Sequence, residues 1–338
     1  MVKNLIAVGT DYELFVRKLS NDAIVSAIPL VETNKEGRIS LRTCDIHHDN
    51  VLVEVNTVPA TSPGDFYNSI KNSLDDLGEF LHKTGHTYVI KDSYFMPEEQ
   101  LRHVDALEFG CVEDTNVITQ TNNKAPSAWI AKNQRTAGGH IHVSYTFKNR
   151  KEYVGMAVLL STALSLGTTI MGDSKERRNI YGKAHSVRFK EYGVEVRSPS
   201  NIWLSNDSWI SWVWSTCARV TQTSPGAMAA TVTLCLRHKS TIAEAINTGD
   251  REACGALLHN IFKVLKIFPP DSAYKIKENS FEYGFALKCG VHDEEEYPVL
   301  GQHNTMSEML KAQAKAHAVP TEYNFIVDDE EDGYEIAE

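Results

Sequence analysis

The chain has 338 residues, 42% of them hydrophobic and 23% charged, enough for one large core or two domains of about 150 residues. That composition excludes a disordered chain, a collagen-like fibre and a small disulfide scaffold. The formal net charge of −10 argues against a dedicated nucleic-acid binder, which needs a basic footprint. The segment 327–338 holds seven acids and no base, so the remainder carries only about −3 and the acidity belongs mostly to the tail.

The first segment with a clear period is 4–17. Asp11 and Glu13 share one face of an expected strand there, with Ile6, Val8, Leu14 and Val16 on the other. The opening residues run straight into charge, so no signal peptide is expected. A second alternating segment, 50–58, sets Glu54 and Asn56 against Val51, Val53 and Val55. Ser62 as N-cap and Pro63 at the first helical position then predict a helix over 63–83, with Phe66, Ile70, Leu74, Leu77 and Leu81 on one face. The stretch 112–138 is rich in Asn, Thr and Gly and reads as a long polar loop suited to a substrate.

Residues 139–147 alternate again, with His140, His142 and Ser144 opposite Ile141, Val143 and Tyr145. A helix is expected over 151–171. Its apolar window, 154–172, is rich in Ser, Thr and Gly and reads as a core helix rather than a membrane span. From 174 to 190 come six bases (Lys175, Arg177, Arg178, Lys183, Arg188, Lys190) and one acid, Glu176. The fourth alternating segment, 193–198, sets Glu195 and Arg197 against Val194 and Val196. Further helices are expected at 207–222, 241–267 and 305–318. Trp203, Trp209, Trp212 and Trp214 read as packing residues, His185 as a surface histidine, and the acidic run 293–296 as solvated. The six cysteines, at 44, 111, 217, 235, 254 and 289, stand alone and read as reduced thiols of a cytoplasmic protein.

Any one of the four alternating segments reads most simply as an antiparallel strand with one wet face. Their polar faces, however, carry carboxylates and imidazoles instead of the Thr, Lys, Ser and Gln usual in water. Gathered on one sheet, such faces make a divalent-metal surface, and carboxylate-rich ligation with one or two His suits Mg2+ or Mn2+ better than structural zinc. Arginines beside it are what polyphosphate recognition needs. Neither a P-loop nor a dinucleotide fingerprint is present.

In order and form, these motifs resemble the glutamine-synthetase-like carboxylate–amine ligases. The similarity lies in GTDYELF (9–15), HHDNVLVEVNTVPA (47–60), GGHIHVS (138–144) and RRN…SVRFKEYGVEVRSPS (177–200). It is nearest to the second type of COOH–NH2 ligase found in bacteriophage genomes, and it covers about 1–205. The resemblance implies an α+β fold: a curved, mostly antiparallel sheet of glutamine-synthetase catalytic-domain type, helices on its convex face and the metal site on the concave one. It implies one catalytic domain, 1–322, followed by an acidic, disordered tail, 323–338.

For activity, the resemblance implies ATP- and metal-dependent joining of a small-molecule or peptide carboxylate to an amine through an acyl phosphate, with two or three Mg2+ or Mn2+ ions. Glu13 and Glu54 would hold the metal on the acyl side, and Asp11, His140 and Glu195 the metal at the ATP phosphates. Arg178 and Arg188 would contact the phosphates, Arg197 would stabilise the transferred phosphoryl group, and His142 would orient His140 or a phosphate. The acid that partners Glu54 stays open between Asp49, His47 and Asp45. Asp11 stands where the family has Glu, which shortens its reach. The chain opens at the metal strand, so ammonia as the amine and a ring-shaped assembly have no support. The expectation is a protein of the cytoplasm (the host's, if a phage encodes it) with no nucleic-acid or membrane partner and an open oligomeric state. The alternatives are a guanidino-kinase-like phosphotransferase on the same fold and a non-catalytic binding protein that keeps the sheet.

Overall fold

The computed structural model describes residues 6–107, 114–123 and 132–270. The helix expected at 305–318, the acidic run 293–296, the boundary at 322 and the tail 323–338 lie outside them, as do Cys111, Cys289 and parts of the polar loop.

Thirteen strands occur among the described residues: β1 Val8–Lys18, β2 Ile24–Val25, β3 Ile39–Ser40, β4 Cys44–Asp49, β5 Leu52–Thr57, β6 His86–Val89, β7 Ser93–Phe95, β8 Asp114–Asn116, β9 Thr121–Asn123, β10 Gln134–Thr136, β11 Gly139–Ser144, β12 Ser186–Lys190 and β13 Gly193–Val196. Eleven form one sheet in the order β3-β4-β5-β1-β11-β13-β12-β8-β9, with β2 and β6 on the far half of β1. The pairings are antiparallel. The fold is therefore mixed α and β around one large antiparallel sheet. The expected strand at 50–58 is the second arm of a hairpin whose first arm, β4, goes unread in the sequence. Asn50, with φ 56°, makes the turn, a left-handed position that Asn tolerates better than most residues.

Alternation sets one face of this sheet in the core. Tyr12, Leu14, Val53, Val55, Ile141, Val143, Val194 and Val196 are buried, and the register pairs Tyr12 with Val55 and Ile141 with Val196. Two helices cover that face, α1 (Pro63–His82) and α2 (Arg150–Met171). α1 starts as its sequence predicts, the Ser62 hydroxyl accepting a hydrogen bond from the Asp65 N–H at 3.1 Å. The Tyr12 hydroxyl meets Ser73 on α1 at 2.7 Å. α2 is long and apolar enough to cross a membrane, yet its most apolar window is wholly buried. Other helices pack against it, and Gly167 makes room for one of them: a Cβ there would lie 2.1 Å from the Trp212 ring.

The remaining α-helices among the described residues are α3 (Lys175–Ile180), α4 (Asp207–Thr221), α5 (Pro225–Arg237), α6 (Lys239–Thr248) and α7 (Arg251–Phe262). Three differ from expectation. α3 replaces part of the basic loop. The helical stretch expected over 241–267, with Gly249 as a point of punctuation, is two helices, α6 and α7, and Gly249, left-handed at φ 72°, closes the first. α5 repeats the Ser–Pro opening of α1 at Ser224–Pro225, a legible signal absent from the sequence reading. Cys44, Cys217, Cys235 and Cys254 are buried free thiols, as expected. Trp203 and Trp214 are buried and pack on Phe66.

His185 is not a surface residue. It is 2% exposed, its Nδ1 lies 3.4 Å from the Thr162 hydroxyl, and burial pushes its imidazole down to about 4. The folded state keeps it neutral, whereas the unfolded chain protonates it near 6.5. Its contribution is thus complete above that value and is lost as pH falls towards 4. Between pH 7 and pH 5 it accounts for about 2 kcal/mol of lost stability. Urea unfolding at the two pH values is expected to show that increment vanish in His185→Asn, which suits the left-handed backbone here (φ 66°). An unchanged pH dependence in the variant would refute the assignment.

Candidate functional site

The other face of the same strands forms the floor of a cavity of about 520 Å³. Period two puts Asp11 and Glu13 on it from the centre of β1, and register supplies the neighbours. Asp11 lies opposite His140 on one side and Asn56 on the other, and Glu13 lies opposite Glu54. Glu54 pairs in turn with His47, and Glu195 with both His142 and Arg188. Since consecutive polar residues on one strand face sit about 7 Å apart, Asp11 and Glu13 serve two separate groups.

In the first group, one ligand atom from each of Asp11, His140 and Glu195 lies within 4.8 Å of the others. His140 Nδ1 is 3.1 Å from Asp11 Oδ1 and 4.0 Å from Glu195 Oε1. In the second, Glu13, Asp49 and Glu54 meet the same 4.8 Å limit. Of the three candidates beside Glu54, Asp49 is the one in this group. His47 flanks it, with Nε2 3.6 Å from Glu54 Oε1, and Asp45 pairs with Asn56 and bonds Ser40.

The two glycines of GGHIHVS allow the first group its close packing. A Cβ on Gly138 would lie 2.5 Å from His140 Nε2, and one on Gly139 would lie 2.4 Å from the Ser200 carbonyl. The Gly138 N–H donates to Glu13 Oε2 at 2.6 Å, so the same turn holds a carboxylate of the second group.

The groups differ electrostatically. Burial pushes the Asp11 carboxyl up, but the imidazoles of His140 and His142 outweigh it and hold it well below its ordinary value. Glu195 is likewise raised by burial and then lowered further by Arg197 and His140. In the second group the lowering influences, the Gly138 N–H, Arg177 and Arg197 on Glu13 and Lys35 on Glu54, are outweighed. Burial and then the Asp49 charge raise Glu13 to about 8. Burial, with Asp11, Asp49 and Glu13, raises Glu54 well above its ordinary value. Crowded carboxylates that hold protons near neutrality are the condition a hard divalent cation relieves. The donor sets, two carboxylates with one imidazole and three carboxylates, therefore fit Mg2+ or Mn2+. His140 Nε2, buried against Gly138, has no hydrogen-bond partner among the described residues, and Nδ1 is the nitrogen that faces the acids.

Arg188, Lys190 and Arg197 gather round Glu195. Arg188 Nη1 and Lys190 Nζ stand 3.4 and 3.3 Å from Oε2, and Arg197 Nη1 bonds Oε1. The Arg197 guanidinium also lies 5.6 Å from the Tyr181 ring centroid. His142 Nε2 approaches Asp11 Oδ1 at 3.1 Å, and its Nδ1 meets the Tyr192 hydroxyl at 2.5 Å.

Arg178, expected at the phosphates, is not on the cavity wall. It is 1% exposed and its guanidinium is bound to the Asp173 carboxylate and the Gly182 and Ser198 carbonyls. Arg177 beside it bonds the carbonyls of Ala137, Ser198 and Pro199. The basic segment thus divides: α3 points its arginines into the structure that supports the GGHIHVS turn, and β12 points Arg188 and Lys190 into the cavity. Absent from the sequence reading are Lys35, Arg38 and Tyr192, all on the cavity wall. Tyr192 sits in the turn of the β12–β13 hairpin, which the Glu–Tyr–Gly sequence signals. Lys35 and Arg38 occupy an ordinary polar turn with no local signal of function.

No family model matches the chain, and no curated protein does. A solved structure described as "Apo GmaS without ligand" aligns over 93% of this chain and 67% of its own at 13% identity, with a TM-score of 0.34. A likeness of that degree carries no argument about activity.

Proposed function

We propose that this protein is an ATP-dependent ligase that joins a carboxylate to an amine. The observation that supports this reading is the pair of acid groups on alternate residues of β1, with three cations at one end of the row. Asp11, His140 and Glu195 would hold one Mg2+ or Mn2+ ion and Glu13, Asp49 and Glu54 another. Bound there, such ions neutralise phosphoryl charge and orient the reacting oxygens. Arg188 and Arg197 would grip phosphoryl oxygens as the charge on them shifts during transfer. His142 would fix Asp11 and the rim through Tyr192.

The acid's carboxylate oxygen attacks the terminal phosphorus, the bond to the bridging oxygen breaks, and ADP leaves. The amine then attacks the acyl carbon, phosphate departs and a proton is released, leaving an amide. A second reading, transfer of the phosphoryl group to a guanidine nitrogen, has one observation in its favour: three carboxylates at Glu13, Asp49 and Glu54 would also pair a guanidinium. ADP release with a guanidine but with no carboxylate would select it. A non-catalytic role leaves the crowding of buried acids without a physical reason.

Calorimetric titration of ATP into the full chain, with Mg2+, with Mn2+ and with a chelator, tests the reading. Binding is expected with either metal and is expected to vanish with the chelator. Equal binding with the chelator, or none under any condition, would sink the reading.

A further inference from the structure

Arg197 is held from two sides. It follows β13 directly, and its backbone N–H donates to the Ser186 carbonyl of β12 at 2.9 Å. Its Nη1 meets Glu195 Oε1 on the cavity wall. Its Nε lies 3.8 Å from Asp114 Oδ2 on β8. Asp114 is 5% exposed and stands behind the wall, which it does not line.

Asp114 is itself fixed by its neighbours. β8 lies between β12 and β9, and register sets Asn123 of β9 opposite Asp114. Asn123 Nδ2 donates to Asp114 Oδ1 at 2.6 Å and to Ser186 Oγ at 3.0 Å. Ser186 therefore anchors the Arg197 backbone through its carbonyl and the Asp114 carboxylate through Asn123. Two residues of the polar stretch 112–138, expected from the sequence to meet a substrate, do their work from behind the site.

The charges explain what such a support is for. Glu195 has three cations around it, whereas the ion pair of Asp114 among the described residues is with Arg197. A divalent ion bound by Glu195 draws that carboxylate away from Arg197. A guanidinium with little access to water then needs another counter-charge close by, because leaving it without one is costly. Asp114 keeps a negative charge beside Nε whatever Glu195 binds.

We infer that Asp114 is a positioning residue: it holds the Nε side of the Arg197 guanidinium so that the Nη side stays directed at the terminal phosphoryl group of the nucleotide. The inference rests on the ligase reading. Arg recognises phosphoryl oxygens through a rigid fork, so a fork fixed at its base loses less freedom on binding than a loose one.

The test compares ATP with ADP, each titrated with Mg2+ into the full-length parent and into Asp114→Asn. The parent is expected to bind ATP about 10-fold or more tighter than ADP. In Asp114→Asn, ATP affinity is expected to fall about 10-fold while ADP affinity stays within about twofold. In the Arg197→Gln background, Asp114→Asn is expected to cause no further loss, since residues that act through one another are not additive. Circular dichroism reports folding. Should Asp114→Asn not fold, Asn123→Ala, which only releases the carboxylate, is expected to lose ATP affinity selectively by about threefold or more. Equal affinity of the parent for the two nucleotides, an unchanged preference in the variant, an equal loss for both nucleotides, or a loss that persists without Arg197 overturns the inference alone. Absence of metal-dependent ATP binding by the parent ends the ligase reading and the inference together.

Discussion

Glu195→Gln is expected to abolish metal-dependent ATP binding. Glu195 is 1% exposed, supplies one oxygen to the group with Asp11 and His140, and is the shared partner of Arg188, Lys190 and Arg197. Glutamine keeps the shape but removes the charge that draws a cation in and that spaces the three basic groups. Loss of an outer-shell partner alone costs about 10–100-fold in metal affinity, so loss of a direct ligand is expected to cost about 100-fold or more. Titration of Mg·ATP into the variant, alongside far-ultraviolet circular dichroism, measures it. A folded variant that binds Mg·ATP like the parent would remove Glu195 from the metal site and leave it as a structural counter-ion.

The second large effect concerns stability and separates Arg178 from the phosphate-binding residues. Asp173 is fully buried at the end of α2. It pairs with Arg178, lies 4.0 Å from Arg177, accepts from the Thr168 hydroxyl at 3.0 Å and meets the Ser200 N–H at 3.3 Å. Burial pushes its carboxyl up, and Arg178 and Arg177 more than reverse that. Asp173→Ala leaves two guanidiniums in the interior without their counter-charge, and the expected loss is about 3–5 kcal/mol. Urea unfolding reads it directly. A loss below about 1 kcal/mol would mean that the pair is solvated and worth no more than a surface ion pair. Arg178→Ala is expected to show the same kind of loss, and in whatever fraction folds, Mg·ATP affinity close to that of the parent.

Much of the arrangement was legible in the chain. Strict alternation has only one reading once one face is apolar, because the side-chain period of a strand is two. Asp11 and Glu13, Glu54 and Asn56, His140 and His142, and Glu195 and Arg197 were therefore paired on faces without any coordinates. The helix α1 was plain from its cap and apolar spacing and α2 from its apolar window, and α5 would have been, since Ser224–Pro225 repeats Ser62–Pro63.

What local pattern could not decide is which strands lie side by side, since register between distant segments is set by packing and by the turns between them. Only the sheet order joins Asp49 of β4 to Glu13 and Glu54, and so chooses among three acceptable neighbours. Burial is the other tertiary decision. A run of bases looks solvated, yet Arg177 and Arg178 turn inwards because Asp173 and a set of carbonyls wait there, and His185 follows them. Lys35 and Arg38 show the converse. Nothing in a short polar turn marks function, and they reach the cavity only because Thr33 is bonded to His48 and β3 and β4 form its edge. The sequence by itself determined which residues share a face; the tertiary structure determined which faces meet and which charges are left for a ligand.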